Sequence, residues 1–279
     1  MRINIAKSAG FCFGVRRALN IALKAARLSP RIEMLGDIVH NEDVVRRIYK
    51  AGIRKIKQLS KGKNKILLIR AHGISERIYK EARRLGYKII DATCPMVKEI
   101  HLIAKQAEQK GYKIIIIGDK KHDEVRGILG QLRNKAIVID NLKNIPIKKI
   151  KEIKKAVIVV QSTQNLEKVN AIVSNLKHYI KELSFFNTIC EPTKIKQKEL
   201  KEMSLGNDAM IIIGSKNSAN TKRLYEISKS LNKNSYWINS KNEIKPWWFK
   251  DVRKLGITAG ASTPDTTTKT IINYIRRIT

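Results

Sequence analysis

Three cysteines stand at positions 12, 94 and 190 of this 279-residue chain, and three of its five histidines, His40, His72 and His122, fall in short loops that also carry Gly or Asn. An odd number of thiols, spaced 82 and 96 residues apart, closes no disulfide framework. Taken singly, each cysteine reads as a small apolar core residue. Brought to one point, three thiolates hold a metal centre. Two centres fit that donor set: zinc in a shell of three cysteines and one histidine, or an iron–sulfur cubane in which one iron keeps an open position. Structural zinc favours close CxxC pairs, which the chain lacks. An open iron binds an oxygen as a Lewis acid, and its cluster passes electrons, a pairing suited to reduction with loss of a hydroxyl.

The polar loops point to an anionic substrate. His40, His72, His122, Ser218, Asn220 and Ser262 are hydrogen-bond donors, and Gly214, Gly256 and Gly260 permit close backbone approach, as a phosphate or diphosphate requires. A hydroxyl that leaves as water needs a proton. Glu124, two residues past His122, is the candidate donor, because a semi-buried carboxyl titrates nearer neutrality. Asp123 and Glu42 are the neighbouring carboxylates and read as solvated. Ser162 or Thr163 would relay the proton or hold the substrate hydroxyl. His101 and His178 fall on helical patterns and read as structural.

Register explains how residues so far apart meet. Shifting Cys12 onto Cys94 also lays Gly36, Asp37 and His40 over Gly118, Asp119 and His122, while shifting Cys94 onto Cys190 lays Gly118 over Gly214 and His122 over Ser218. A third landmark, an apolar strand running into a polar loop, recurs as LLIRAHGIS at Leu67, VIVVQSTQN at Val157 and LGITAGASTPD at Leu255. The chain therefore divides into three α/β units, 1–93, 94–187 and 188–279, each with mainly parallel strands and crossover helices. Packed about a pseudo-threefold axis, such units bring together the three cysteines, a ring of His40, His122 and Ser218, and a ring of His72, Ser162 or Thr163, and Ser262. Ligands of open α/β sheets bind beyond the carboxyl ends of the strands, where every landmark lies.

Helical spacing supports these elements unevenly. Val15, Ala18, Leu19, Ala22, Leu23 and Ala26 mark one apolar face, and Met96, Ile100, Ile103, Ala104 and Ala107 another behind Pro95. Around residues 192–203 the apolar period is weak. The run KPWWFK at Lys245 reads as packing against the third unit.

Composition limits the alternatives. No apolar run approaches the roughly 20 residues of a bilayer span, and residues 1–10 lack the pattern of a signal peptide, so a cytoplasmic protein without membrane association is expected. A net charge of +33 invites nucleic acid, but the surplus is spread along the chain, aromatics are 6%, and no zinc-finger spacing, RNP-like string or basic arm is present. No nucleic-acid partner is expected.

Seven ordered motifs resemble one family: GFCFGVRRA at Gly10, VHN at Val39, AHG at Ala71, DATCP at Asp91, HDEVRGILGQ at His122, GSKNSANTKRL at Gly214 and TAGASTPD at Thr258. The family is the 4-hydroxy-3-methylbut-2-enyl diphosphate reductases, iron–sulfur enzymes of the methylerythritol phosphate route to isoprenoids. The resemblance implies a trefoil of three α/β units around one 4Fe-4S cluster on Cys12, Cys94 and Cys190. It implies a diphosphate held by His40, His72, His122, Ser218, Asn220 and Ser262, with Glu124 as proton donor and a ferredoxin or flavodoxin as electron donor. Isopentenyl and dimethylallyl diphosphate would be the products. Four residues depart from the family pattern. Phe13 replaces a small residue and is expected to narrow the cysteine loop, and Asp123 replaces a common proline and is expected to loosen Glu124. Ser162 keeps the hydroxyl of a usual threonine, and Ala219 replaces a serine at a cost of about 1 kcal/mol in hydrogen bonding. A cluster-dependent dehydratase, which consumes no electrons, is the rival within enzymes.

Overall fold

The computed structural model describes residues 1–28, 31–61 and 64–279. In chain order it begins with β1 (Arg2–Ile5), α1 (Phe13–Leu28), β2 (Ile32–Leu35), α2 (Glu42–Lys50), β3 (Ile53–Ile56), β4 (Ile66–Ile69), α3 (Glu76–Arg84) and β5 (Lys88–Asp91). Next come α4 (Pro95–Gln109), β6 (Lys113–Ile117), α5 (Asp123–Leu129), β7 (Ile137–Ile139), α6 (Ile147–Lys151), β8 (Lys155–Val160), α7 (Leu166–Lys177) and β9 (Glu182–Phe185). The last stretch holds α8 (Glu191–Gly206), β10 (Ala209–Ile213), α9 (Ala219–Leu231), β11 (Ser235–Ile238), β12 (Lys254–Ala259) and α10 (Asp265–Ile278). Among the described residues no helix is long and apolar enough to cross a membrane.

The strands form three four-stranded parallel sheets, ordered β3-β2-β4-β5, β7-β6-β8-β9 and β11-β10-β12-β1. Their central strands are near-continuous runs of β-branched and other apolar residues, such as Ile114 to Ile117 and Ala209 to Ile213, buried on both faces as parallel sheets demand. Register keeps neighbouring strand ends level: Ile69 pairs with Asp91, Ile117 with Val160 and Ile213 with Ala259. The loops after those strands therefore leave from the same sheet edge.

The third sheet is completed from the other end of the chain. β5 and β9 are the last strands of their sheets in sequence, but their counterpart beside β12 is β1. The short RINI segment thus lies with residues 209–259 and not with 32–91. Packing gathers the chain into two compact units, residues 1–16, 39–47 and 191–279 in one, and residues 17–38 and 48–190 in the other.

Where apolar period is weak, α8 is nevertheless a full helix. Its buried positions, Thr193, Lys196, Gln197, Leu200 and Ser204, carry helical spacing in mostly polar side chains, so a hydrophobicity pattern does not register it. In the KPWWFK run, Trp248 stacks on Tyr236 with ring centroids 4.1 Å apart and packs on the third sheet's core, while Trp247 remains 66% exposed.

Candidate active site

Each cysteine follows the strand at the same sheet edge and precedes a helix. The Cys12 amide donates to the Ala261 carbonyl at 3.1 Å, the Cys94 amide to Ala71 at 3.0 Å and the Cys190 amide to Ser162 at 3.1 Å. Ala261, Ala71 and Ser162 are equivalent, each lying just past the end of the third strand of its sheet, β12, β4 or β8. One backbone bond thus fixes each cysteine loop against the polar loop beside it. No disulfide joins the thiols, and all three are half-buried. The Val15 amide points at Cys12 Sγ at 3.5 Å, and Cys94 is the N-cap of α4. Helix amino ends favour thiolates. Three such thiols, with no CxxC pair, are the soft donor set that a three-cysteine iron–sulfur cluster takes. Phe13 is 59% exposed as α1 begins.

In the unit of residues 17–38 and 48–190, the loops after β4 and β6 bring His72 and His122 together, edge to face, with ring centroids 5.4 Å apart. His122 caps α5, its Nδ1 accepting from the Glu124 amide at 3.2 Å. An accepting Nδ1 leaves the proton of a neutral imidazole on Nε2, so hydrogen-bond geometry assigns His122 as a donor through that nitrogen. Glu124, in the first turn of α5, is 2% exposed. One carboxylate oxygen accepts from the Ser162 amide at 2.6 Å and the other from Ser162 Oγ at 2.8 Å. Burial pushes this carboxyl above the ordinary glutamate range; the two Ser162 bonds pull it down and burial prevails. Ser162 therefore serves two neighbours, holding the acid with its amide and hydroxyl and Cys190 with its carbonyl. Thr163 Oγ1 accepts from Gln161 Nε2 at 3.1 Å and is not bonded to Glu124.

In the unit that contains residues 39–47 and 191–279, Ser218 caps α9 by accepting from the Thr221 amide. Ser262 Oγ lies 3.5 Å from Ser218 Oγ and donates to the His40 carbonyl at 3.1 Å. Asn220, in the first turn of α9, is 5% exposed, and its buried Nδ2 has no acceptor among the described residues. A buried N–H left open in the first turn of a helix is what a phosphate oxygen would satisfy. Gly214 permits this crowding, since a Cβ there would stand 2.6 Å from Thr221 Oγ1 and 2.7 Å from Thr263 Oγ1.

Of the two carboxylates expected to be solvated, Glu42 is exposed and Asp123 is not. Asp123 accepts from Arg70 Nη1 at 2.7 Å in a largely buried ion pair. Glu42 accepts from Ser215 Oγ at 2.7 Å and from Asn239 Nδ2 at 3.1 Å, with Asn217 nearby. Partial burial would raise the Glu42 carboxyl, and these bonds outweigh it and hold it below the usual range. Sequence alone signals neither, because both partners are distant in the chain. His101 is largely enclosed, and burial lowers it to about 4, against the opposing charge of Asp91. His178 ends α7 at the surface.

The LytB protein family profile matches residues 3–276. The chain belongs to the LytB family. Among LytB relatives, 4-hydroxy-3-methylbut-2-enyl diphosphate reductase of Aquifex aeolicus is 40% identical, the match covering 99% of this chain and 96% of that protein. The enzyme of the same name from Clostridioides difficile is 38% identical over the full length of both. A solved structure of (E)-4-hydroxy-3-methyl-but-2-enyl diphosphate reductase, the terminal enzyme of the non-mevalonate pathway, aligns with a TM-score of 0.73 at 39% identity, covering 99% of this chain and 100% of that one. The reductase structure from Plasmodium falciparum aligns with a TM-score of 0.89 at 29% identity, over 98% of this LytB chain and 87% of that chain.

Proposed function

We propose that this chain catalyses the reductive dehydroxylation of (E)-4-hydroxy-3-methylbut-2-enyl diphosphate to isopentenyl and dimethylallyl diphosphate, the last step of the methylerythritol phosphate pathway. The observation that carries the reading is Ser162, which holds the raised carboxyl of Glu124 and, through its carbonyl, the loop of Cys190. Cys12, Cys94 and Cys190 would hold one 4Fe-4S cluster, which when bound supplies electrons and an open iron for the substrate oxygen.

The remaining roles fall to protein side chains. Asn220, Ser218 and Ser262, with His40, His72 and His122, are assigned to the diphosphate, where hydrogen bonds to phosphate oxygens are charge-assisted. Glu124 gives a proton to the departing hydroxyl, which leaves as water when the carbon–oxygen bond breaks. Two electrons and a second proton then complete the hydrocarbon end. Ser162 keeps Glu124 aimed, and Thr163 is assigned to the substrate hydroxyl. A ferredoxin or flavodoxin is the proposed electron donor, because acidic carriers are steered to a chain of net charge +33. The cytoplasm is the proposed site of action, where thiols stay reduced. The repeats 1–93, 94–187 and 188–279 are proposed as the units of a trefoil, with β1 of the first repeat joining the sheet of the third.

The test is an anaerobic preparation assayed with a one-electron reductant. Two electrons consumed per diphosphate product, a brown protein, and a Mössbauer spectrum with one iron site distinct from three others are expected. Cys12→Ser, Cys94→Ser and Cys190→Ser should each lose the cluster. Conversion without consumption of electrons would favour the dehydratase, and an active protein without iron would overturn the cluster assignment.

A further inference from the structure

Lys196 is an anomaly of burial. Lysine is among the residues least often enclosed, because an ammonium taken from water without compensation is costly. Here it is 3% exposed, on the inner face of α8. Its ammonium donates to three main-chain carbonyls, those of Ser8, of Gly10 at 3.0 Å and of Ala259 at 3.3 Å, one for each N–H. Glu199, on the same face, accepts from the amides of Lys7 at 2.6 Å and Ser8 at 2.9 Å. Two α8 side chains thus grip the segment before Cys12 by its carbonyls and by its amides. The gripped segment is in turn bonded to the end of β12, Gly10 amide to Ala259, and to the loop after it, Cys12 amide to Ala261.

Neutral carbonyls satisfy the donors of Lys196 without neutralising its charge. Burial lowers its pKa to about 8, and the groups that favour its charged form are Cys12, Glu199 and Asp265, with Arg16 opposing.

We infer that Lys196 is a positioning residue for the Cys12 loop and that its ammonium, bonded to the Gly10 carbonyl two residues before Cys12, favours the reduced state of whatever centre Cys12 ligates. The second part rests on the reading of Cys12 as a cluster ligand; the first does not. A cation near a redox centre stabilises the added electron, so its loss moves the potential to more negative values.

Three substitutions separate charge from grip: Lys196→Arg keeps both, Lys196→Gln keeps a donor without charge, and Lys196→Met keeps neither. In the full-length protein, amide hydrogen exchange at Gly10 and Cys12 is expected to quicken at least ten-fold in Lys196→Met and to stay near the parent rate in Lys196→Arg. In a redox titration followed by electron paramagnetic resonance, Lys196→Gln and Lys196→Met should both titrate at more negative potential, with Lys196→Arg at the parent value. Iron release to a chelator should be at least ten-fold faster in Lys196→Met. Unchanged exchange overturns the positioning role, and a parent-like potential in Lys196→Gln overturns the charge role. If Lys196→Met does not fold, the Gln and Arg variants decide both. A parent protein that binds no cluster sinks the cluster reading alone, and amide exchange still judges the grip.

Discussion

Asp123 and Arg70 join two loops of the site: the Asp123 carboxylate accepts from Arg70 Nη1 at 2.7 Å, with the two side chains 21% and 15% exposed. Arg70 stands between the end of β4 and His72, and Asp123 between His122 and Glu124, so the pair ties one histidine loop to the other. Family resemblance leads one to expect proline at position 123. Proline stiffens a loop by fixing its own φ, whereas an ion pair stiffens it through a partner.

A double-mutant cycle on Asp123→Asn and Arg70→Met should return a coupling of about 1–2 kcal/mol in denaturant unfolding, between the values for exposed and buried pairs. Asp123→Pro alone should destabilise, because Arg70 loses its partner. Position 123 is the first residue of α5 and accepts proline, so combining it with Arg70→Met should recover most of the loss.

Glu124→Gln should bind the diphosphate substrate about as well as the parent and turn over about 10²- to 10⁴-fold more slowly, as expected for loss of a general acid. Ser162→Ala tests the support. The Ser162 hydroxyl bond holds the Glu124 pKa down against burial, so its removal should move the alkaline limb of the kcat–pH profile to higher pH. A limb that stays in place would remove Glu124 as its source.

His101 is lowered from 6.5 to about 4 by burial, so the unfolded chain takes up a proton between those values that the folded chain refuses. Stability is full above the unfolded value and falls as pH drops from 6.5 towards 4. The contribution is about 3 kcal/mol at most. His101→Phe should lose less stability than the parent between pH 7 and 4.5, both measured by denaturant unfolding, at conditions set roughly by the ordinary histidine range.

Gly127 lies inside α5, where alanine would ordinarily be better by about 1 kcal/mol. A Cβ there would stand 3.1 Å from the His72 carbonyl and 3.4 Å from His101 Nε2. Gly127→Ala should therefore destabilise, against helix propensity, and raise KM for the diphosphate more than it lowers kcat, because it displaces the His72 loop.

Much of this architecture is legible in residue order. The shared offsets of Cys12, Cys94 and Cys190 with their Gly and His landmarks announce three repeats, and apolar runs such as Ile114 to Ile117 announce buried parallel strands. These are local signals, carried by residue type and spacing within one element. Glu124 stands out for the same reason, as a carboxyl beside a loop histidine, and the structure buries it.

Tertiary structure decided which polar groups are enclosed and which edge each strand joins. RINI has the same strand pattern whether it pairs near or far in sequence, and only the free edge of β12 selects it. Lys196 and Asp123 are charged types that ordinarily stay solvated, and partners distant in the chain draw them inward. Residue order fixes what each segment prefers, since those preferences act over a few residues; the burial of charge follows from long-range pairing, because only a distant donor or acceptor offsets the loss of water.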